Sequence, residues 1–585
     1  MSSLTPAAQR RRRMLTRTAP VVGIALVAFV IGVVAGAGAD SSAGQQFVDA
    51  WERGDTTGMY AELTPAAQEE YSRQEFDRAY SESAQTATIE TVQAGDARDA
   101  ESGGDVQVVE VRFDTRAFGQ LGGELLLPTS DDGVDWAPNL VFPELEEGEV
   151  LSRRTRAPER APILATDGTP LAEGPASARS QPVPGASAVV GEVGAPPVEE
   201  EREMAAEGFP PGSLTGNSGL ELAFNDRLSG TPGGQLLAAA AGEEASLRGG
   251  RVLAASDPQP GKSVRTTIDP ALQEAAVAAL GSLYGGVAVL NSRNGSILAL
   301  AGIAFSAPQP PGSTFKVITT VAALDADLVK LSDTFPVETS NSEIGREIAN
   351  SHDAPCGGTF AQSFASSCNT VFAPLGAEVG GELLVETAEK FGFNSPPALY
   401  NEATTAIVEP PASTIPTDIS SSVEVGESAI GQGQVLATPL QLATVSQVIA
   451  AGGVRMPTSI SKVPELRPDA EPVRVTSKET AATLRDLMIG VVQNGTGVAA
   501  ALPNAQVAGK TGTAELGPKA LQPGQEAPDP EEGEEPEQEL DAWFTAFAPA
   551  RDPELAIGVM VVNAAGDGGE IAAPIAAQVL SAGLG

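Results

Sequence analysis

Apolar and polar positions follow three successive patterns along this chain, each predicting different elements. Ahead of them stands an uncharged apolar stretch, 21–39, with Arg10, Arg11, Arg12, Arg13 and Arg17 before it and Asp40 after it. That length just spans a bilayer as a helix, and the arginine cluster orients the N-terminus toward the cytoplasm. Ala35-Gly36-Ala37 and Ala37-Gly38-Ala39 would also fit a cleaved export signal. The stretch exceeds a usual signal core, which favours a retained anchor at 20–39 behind a cytoplasmic tail at 1–19. Either reading exports the remainder.

Within 45–64, Phe47, Trp51, Met59, Tyr60 and Leu63 fall near one helical face and predict a single amphipathic helix. A second helix is predicted over 65–80 from Tyr71, Phe76 and Tyr80. The period then changes to two over 106–113 and 123–127, with a turn at Asp131-Asp132-Gly133. Helices followed by an antiparallel sheet describe a small α+β domain over 43–150. From 151 to 260 the chain is rich in Arg, Ala, Pro, Gly and Glu, with few long apolar runs. A hairpin is predicted at 161–172, inside an otherwise elongated, loop-rich module. Asp257-Pro258-Gln259-Pro260 marks the C-terminal boundary of this module.

The third pattern, 261–585, is the longest. Asp269-Pro270 caps a helix over 269–280, and Thr438-Pro439 opens another through Ile449. Apolar runs at 287–290 and 297–300 flank Asn294-Gly295, a strong hairpin signal. Two more strands are predicted at 541–548 and 555–562, and a closing helix at 572–580. Strands at both ends with helices between them predict one antiparallel sheet covered by helices on both faces.

Composition narrows the function. A chain of 585 residues is too long for one ordinary core. A net charge of −40 argues against a nucleic-acid partner, whose phosphates demand a basic face. His352 is the single histidine, in a polar Ser351-His352-Asp353 stretch that reads as surface. A Ser-His-Asp hydrolase would have to use it, and a zinc site is starved of ligands; neither metal nor cofactor is expected. Cys356 and Cys368 are close in sequence, and an oxidising compartment permits a bridge. Two buried thiols are the alternative, because sequence does not supply the Cα separation. The expectation is a disulfide.

A nucleophilic enzyme without a usable histidine needs another base. Ser313-Thr314-Phe315-Lys316 provides one: on a helix, positions i and i+3 share a face, so the amine can reach the hydroxyl. The lysine works as a base where burial or a nearby cation holds it partly neutral. Pro311-Gly312 suits a turn into a helix N-terminus, whose dipole favours an oxyanion. Alone this pattern is common on solvated helices. Two further pieces stand after it in order. Ser367-Cys368-Asn369 places a hydroxyl and an amide two residues apart on a short loop. Lys510-Thr511-Gly512-Thr513 reads as a strand able to hold a carboxylate, with Gly512 letting a ligand lie against the backbone. The three pieces, in order and spread over some 200 residues, resemble the S-x-x-K, S-D-N and K-T-G set of β-lactamases and penicillin-binding proteins, with Ser-Cys-Asn as the middle member here.

With Gly431-Gln432-Gly433, Thr438-Pro439 and Lys510 to Glu515, residues 261–585 resemble the transpeptidase domain of high-molecular-weight penicillin-binding proteins. Ala157-Pro158-Glu159-Arg160, Gly219-Leu220-Glu221 and the run from Phe224 to Gly230 resemble their pedestal or dimerisation domain. Residues 43–150 resemble the NTF2-like domain of staphylococcal-type resistant members and actinobacterial relatives. The resemblance implies a multidomain α+β protein with the β-lactamase-like penicillin-binding fold. Without paired carboxylates and long helices upstream, it implies a class B, transpeptidase-only type. Ser313 would attack the penultimate D-Ala carbonyl of a stem peptide, Lys316 would be the base, and Ser367 would relay a proton. Asn369 would bind peptide backbone, and Lys510, Thr511 and Thr513 the terminal carboxylate. Cys368 stands where aspartate is more familiar. Stem peptides, β-lactams and the membrane are the implied partners, and wall-synthesis or division proteins fit the same setting. A carboxypeptidase, a β-lactamase, and a non-catalytic sensor or scaffold of the same fold are the competing readings. An acidic run, 526–541, carries nine carboxylates and stands outside the family pattern. It is expected to lack regular structure, and either a passive loop or an electrostatic gate beside the cleft would account for it.

Overall fold

The computed structural model describes residues 42–101, 105–242, 250–405, 407–518 and 538–585. The expected tail and anchor at 1–39, and the acidic run up to 537, lie outside the described residues. Among the described residues no helix is long and apolar enough to cross a membrane.

The first domain opens with four helices where the periodicity predicts two. They are α1 (Ala43–Glu52), α2 (Thr56–Ala61), α3 (Pro65–Glu70) and α4 (Arg73–Ala87). Each predicted helix is broken by a cap. Gly54 takes φ +67°, and Asp55 accepts from Gly58 N at 2.9 Å. Ser72 and Glu75 form a reciprocal capping box at the start of α4. Local side-chain hydrogen bonds therefore outcompete the continuing apolar stripe. The helices cover an antiparallel sheet containing β1 (Ile89–Ala94), β2 (Val106–Thr115) and β3 (Gly119–Ser130). Aromatic side chains fill the space between: Phe76 and Trp136 lie 4.8 Å apart, and Phe113 stacks on Phe142 at 4.9 Å.

The middle region holds more regular structure than its composition announces. Strands β4 (Glu149–Arg156), β5 (Gly233–Ala240) and β6 (Arg251–Ser256) form a sheet with β5 at its centre. Leu236 and Ala238 of β5 join the aromatic core of the first domain. Charged β4 and Ala- and Gly-rich β5 carry no clear alternation, so neither is legible as a strand from sequence. The expected hairpin forms from Ile163–Leu164 and Pro170–Ala172, and Val264–Arg265 adds to it in parallel. Beside it lies a buried ion cluster. Glu221, fully buried, receives Arg160 Nε on one carboxylate oxygen and Arg179 Nε on the other, each at 2.7 Å. Arg160 also donates to Asn225 Oδ1 and to the Glu221 carbonyl.

The last domain has a five-stranded sheet in the order β8-β7-β12-β11-β10. Its members are β7 (Gly285–Asn291), β8 (Ile297–Gly302), β10 (Ala508–Pro518), β11 (Gln538–Ala548) and β12 (Leu555–Val561), all antiparallel. Strand β9 (Cys356–Thr359) lies outside this sheet. The last residues of the acidic run, 538–541, open β11, contrary to the expectation of no regular structure: they pair with β10, and Asp541 is buried. Alternation along each strand splits its side chains between two cores. Val287, Val289, Ile557 and Val559 face α5 (Pro270–Leu280) and the closing helix Ala573–Leu584. Ala288, Leu290, Met560 and Trp543 face the other core, which includes α6 (Lys316–Asp325). A helix at Pro439–Ala450, capped by Thr438, lies flat on that side. A Cβ at Gly558 would sit 2.0 Å from the Pro439 carbonyl oxygen, so only glycine permits the contact.

Replacing Glu221 by alanine leaves two buried guanidinium groups without their shared carboxylate. Such a loss costs about 3–5 kcal/mol. We expect the pedestal to unfold at clearly lower urea in Glu221→Ala, measured by proteolytic cleavage within 151–260 after brief exposure to protease at each urea concentration; an unchanged midpoint would contradict it.

Candidate active site

The nucleophile candidate sits on a turn before the helix. Residues Gly312–Phe315 form a 3-10 turn and α6 begins at Lys316. Ser313 is half-buried while Thr314, Phe315 and Lys316 are buried. Three glycines allow this turn to press against the edge strand β10. Gly312 takes φ +52°, and a Cβ there would lie 2.4 Å from Thr513 O. One at Gly512 would lie 2.6 Å from Pro311 O, and one at Gly431 would lie 2.0 Å from Gly312 O. Gly512 therefore makes room for the turn that carries Ser313. The Gly431 carbonyl also accepts the Gly312 N–H at 3.0 Å.

Lys316 reaches across to the Ser367 loop. Its Nζ donates to Ser367 O at 2.7 Å and to Asn369 Oδ1 at 2.6 Å, with Ser367 Oγ at 3.4 Å. Ser313 is not among its hydrogen-bond partners, so the i to i+3 contact expected from sequence is not made in this state. Lys510 approaches Ser367 from the opposite side, donating to its Oγ at 2.8 Å and to Thr511 O at 3.0 Å. Ser367 thus stands between two fully buried lysines, each over an aromatic ring, Phe372 for Lys316 and Phe364 for Lys510. Burial, and then the neighbouring Lys510 charge, holds the Lys316 amine well below its ordinary range. Burial lowers Lys510 to about 7.

The loop carrying Ser367 is held in an unusual conformation. Ser367 has φ +61°, a region costly for a non-glycine residue. Its N–H donates to Phe364 O, and the Cys368 N–H to Ser363 O. Cys368 is bonded to Cys356, with Cα atoms 5.4 Å apart. That bond ties the loop to β9, just before the short helix α7 (Phe360–Ala365). Asn369 begins the next helix and donates through Nδ2 to Ala349 O at 2.9 Å. His352 is exposed, and its ring Nδ1 lies 3.1 Å from Ser351 Oγ.

On β10, Thr511 is buried and Thr513 half-buried. Thr513 Oγ1 accepts from Gly568 N at 3.3 Å, and the Thr511 hydroxyl hydrogen-bonds that of Thr496. Sequence reasoning misses both Thr496 and Gly568. Each sits in a glycine-bearing turn (Asn494 to Gly497, Asp567 to Gly569) that carries no chemical signature of its own. Hydrogen bonds and close packing thus gather Lys316, Ser367, Asn369, Lys510, Thr511, Gly512 and Thr513 in one place, with Ser313 on the adjoining turn.

A serine on a turn, a buried lysine three residues later with its amine held well below its ordinary range, a second buried lysine bonded to a further serine, and an edge strand of hydroxyls define a penicillin-recognising acyl-transferring serine enzyme. Comparison with known proteins agrees. Residues 285–581 match the penicillin binding protein transpeptidase domain, 174–266 the penicillin-binding protein dimerisation domain, and 39–149 the NTF2-like N-terminal transpeptidase domain. The chain belongs to the penicillin-binding protein transpeptidase family. It is 33% identical over 394 residues to peptidoglycan D,D-transpeptidase PbpA of Mycobacterium tuberculosis, covering 56% of this chain and 73% of the relative. With PbpA of Mycolicibacterium smegmatis the identity is 34% over 388 residues, with the same shares covered. The crystal structure of PBPA from M. tuberculosis superposes with a TM-score of 0.54 at 28% identity, covering 73% of this chain and 100% of that one. Its penicillin G acyl-enzyme complex gives 0.53 at 28% identity, with the same shares covered.

Replacing both cysteines by serine removes the clamp on the Ser367 loop. Opening a loop of this length costs about 3 kcal/mol. We expect Cys356→Ser/Cys368→Ser to unfold at lower denaturant and to be acylated more slowly by benzylpenicillin. Acylation at the parent rate would show that Ser367 keeps its conformation unaided.

Proposed function

We propose that Ser313 is the nucleophile of this peptidoglycan D,D-transpeptidase and that Lys316 is its base. The observation that carries this is the Lys316 amine: fully buried, pushed well below the usual lysine range by burial and then by the Lys510 charge, and donating to two oxygen acceptors. An unprotonated amine in that position keeps a lone pair for the serine proton. Ser313 Oγ attacks the penultimate D-Ala carbonyl, its proton passing to Lys316. The backbone N–H groups of Ser313 and Thr513 receive the oxyanion. The C–N bond breaks, and Ser367 hands a proton to the departing D-Ala amine, regaining one from Lys316. An amine from a second stem peptide then attacks the ester, loses its proton by the reverse route, and frees Ser313. A β-lactam undergoes the first half only, its leaving amine staying tethered. Lys510, Thr511 and Thr513 hold the carboxylate common to both ligands, and Asn369 adds a contact to the peptide chain.

The same reading places the catalytic domain outside the cytoplasmic membrane, behind an anchor at 20–39. The arginines before the apolar stretch support it, as does a substrate that lies in the wall. Wall-synthesis or division proteins would be its neighbours there.

Fluorescent penicillin tests the assignment. We expect Ser313→Ala to lose covalent labelling and Lys316→Ala to acylate about 10²–10⁴-fold more slowly. Labelling of Ser313→Ala at the parent rate would remove Ser313 from the mechanism. Slow release of the label separates a transpeptidase from a β-lactamase.

The pH dependence rests on the two lysines. The Lys510 ammonium is present below about 7 and lost above it. Since k2/K reports the free enzyme, acylation by benzylpenicillin should fall as pH rises through about 7. Burial and the Lys510 charge push Lys316 down as well, which favours its neutral, base-competent form. A neutral ester of the same penicillin should lack the alkaline fall. An alkaline limb of equal size for both compounds would remove Lys510 from carboxylate recognition.

A further inference from the structure

The turn after the helix Lys478–Asn494 touches three parts of the site at once. Thr496 N donates to Ala365 O at 3.1 Å, two residues before Ser367. Gly495 makes that approach feasible, because a Cβ there would lie 2.3 Å from the same carbonyl oxygen. The Thr496 carbonyl packs on Gly569, where a Cβ would lie 2.3 Å from it. That second turn supplies the Gly568 N–H to Thr513 Oγ1. The Thr496 hydroxyl itself bonds the Thr511 hydroxyl.

A threonine hydroxyl has one proton. If Thr511 gave it to Thr496, it would present only lone pairs to a ligand carboxylate. Thr511 recognises an anion only when its oxygen accepts from behind and its proton points forward. Thr513 is arranged in that sense, accepting from a backbone N–H that can only donate. We propose that Thr496 is the corresponding donor for Thr511: a positioning residue that turns the Thr511 proton into the cleft and sets affinity for carboxylate-bearing ligands. This rests on the reading that Thr511 and Thr513 hold the ligand carboxylate. The hydrogen bonds of Thr496 run to Ala365 and Thr511 and to neither Ser313 nor Lys316, so it acts on binding and leaves the chemical step alone.

The test uses full-length Thr496→Val, which keeps the shape and removes the hydroxyl, with Thr496→Ser and Thr511→Val beside it. Binding (K) and acylation (k2) are separated by stopped flow for benzylpenicillin and for its methyl ester. One hydrogen bond to a charged system is worth about tenfold. We expect Thr496→Val to raise K for benzylpenicillin about tenfold while k2, the melting temperature and both constants for the ester stay at parent values. Thr496→Ser should restore K, and Thr496→Val should add nothing in the Thr511→Val background. An unchanged K for benzylpenicillin overturns the proposal. So does an equal loss for the ester, or a fall in k2 and melting temperature that serine does not rescue, since those mark a packing role. Thr511→Val with parent affinity for benzylpenicillin would instead overturn the carboxylate reading, and this proposal with it.

Discussion

Two lysine side chains buried together, with no carboxylate of the described residues paired to either, are the condition on which the site depends. Lys316 and Lys510 are fully buried, and both meet at Ser367. Removing an ammonium from water is costly unless it is paired, and a group left unpaired gives up its proton instead. The site uses that penalty. Oxygen acceptors from Ser367 and Asn369, and aromatic faces from Phe364 and Phe372, surround the amines, and burial still holds both below the usual lysine range.

That arrangement needs three segments remote in sequence to be fixed relative to one another. The nucleophile turn is pressed onto β10 through Gly312, Gly431 and Gly512, whose missing side chains remove clashes below 3 Å. The Ser367 loop is fixed by its bond to Cys356 and by the turn at Gly495 and Thr496. β10 is fixed by the sheet itself, which is packed on both faces. Rigidity in each support serves the same end, keeping the Ser367 hydroxyl within hydrogen-bond reach of both amines. The strained backbone of Ser367 persists because disulfide and hydrogen bonds over-determine it.

The accessory domains are joined to one another by packing rather than strung as beads. β5 contributes Leu236 and Ala238 to the core of the first domain, and the Arg160–Glu221–Arg179 cluster fixes the pedestal internally. A well-braced stalk of this kind suits an enzyme whose substrate is a fixed polymer.

The sequence by itself singled out the candidate chemistry. Ser313, Lys316, Ser367, Asn369 and Lys510 are legible as one set from motif order alone, because acyl transfer without histidine restricts which residue types stand at those spacings. Helix starts at Asp269-Pro270 and Thr438-Pro439, and the sheet-forming runs at 287–290 and 555–562, are equally legible, since caps and alternation are local properties. What the sequence could not give was set by distance through space. The division of the two N-terminal helices turned on caps competing with an apolar stripe. β4 and β5 are strands because partners pair with them, not because their own residues alternate. Lys316 turned to Ser367 and Asn369 instead of Ser313, and Gly512 serves the Pro311 carbonyl, because the neighbours are decided by packing. Thr496 belongs to the site only through the position of its hydroxyl against Thr511; nothing in an isolated threonine records which oxygen it will meet once the chain has closed around it.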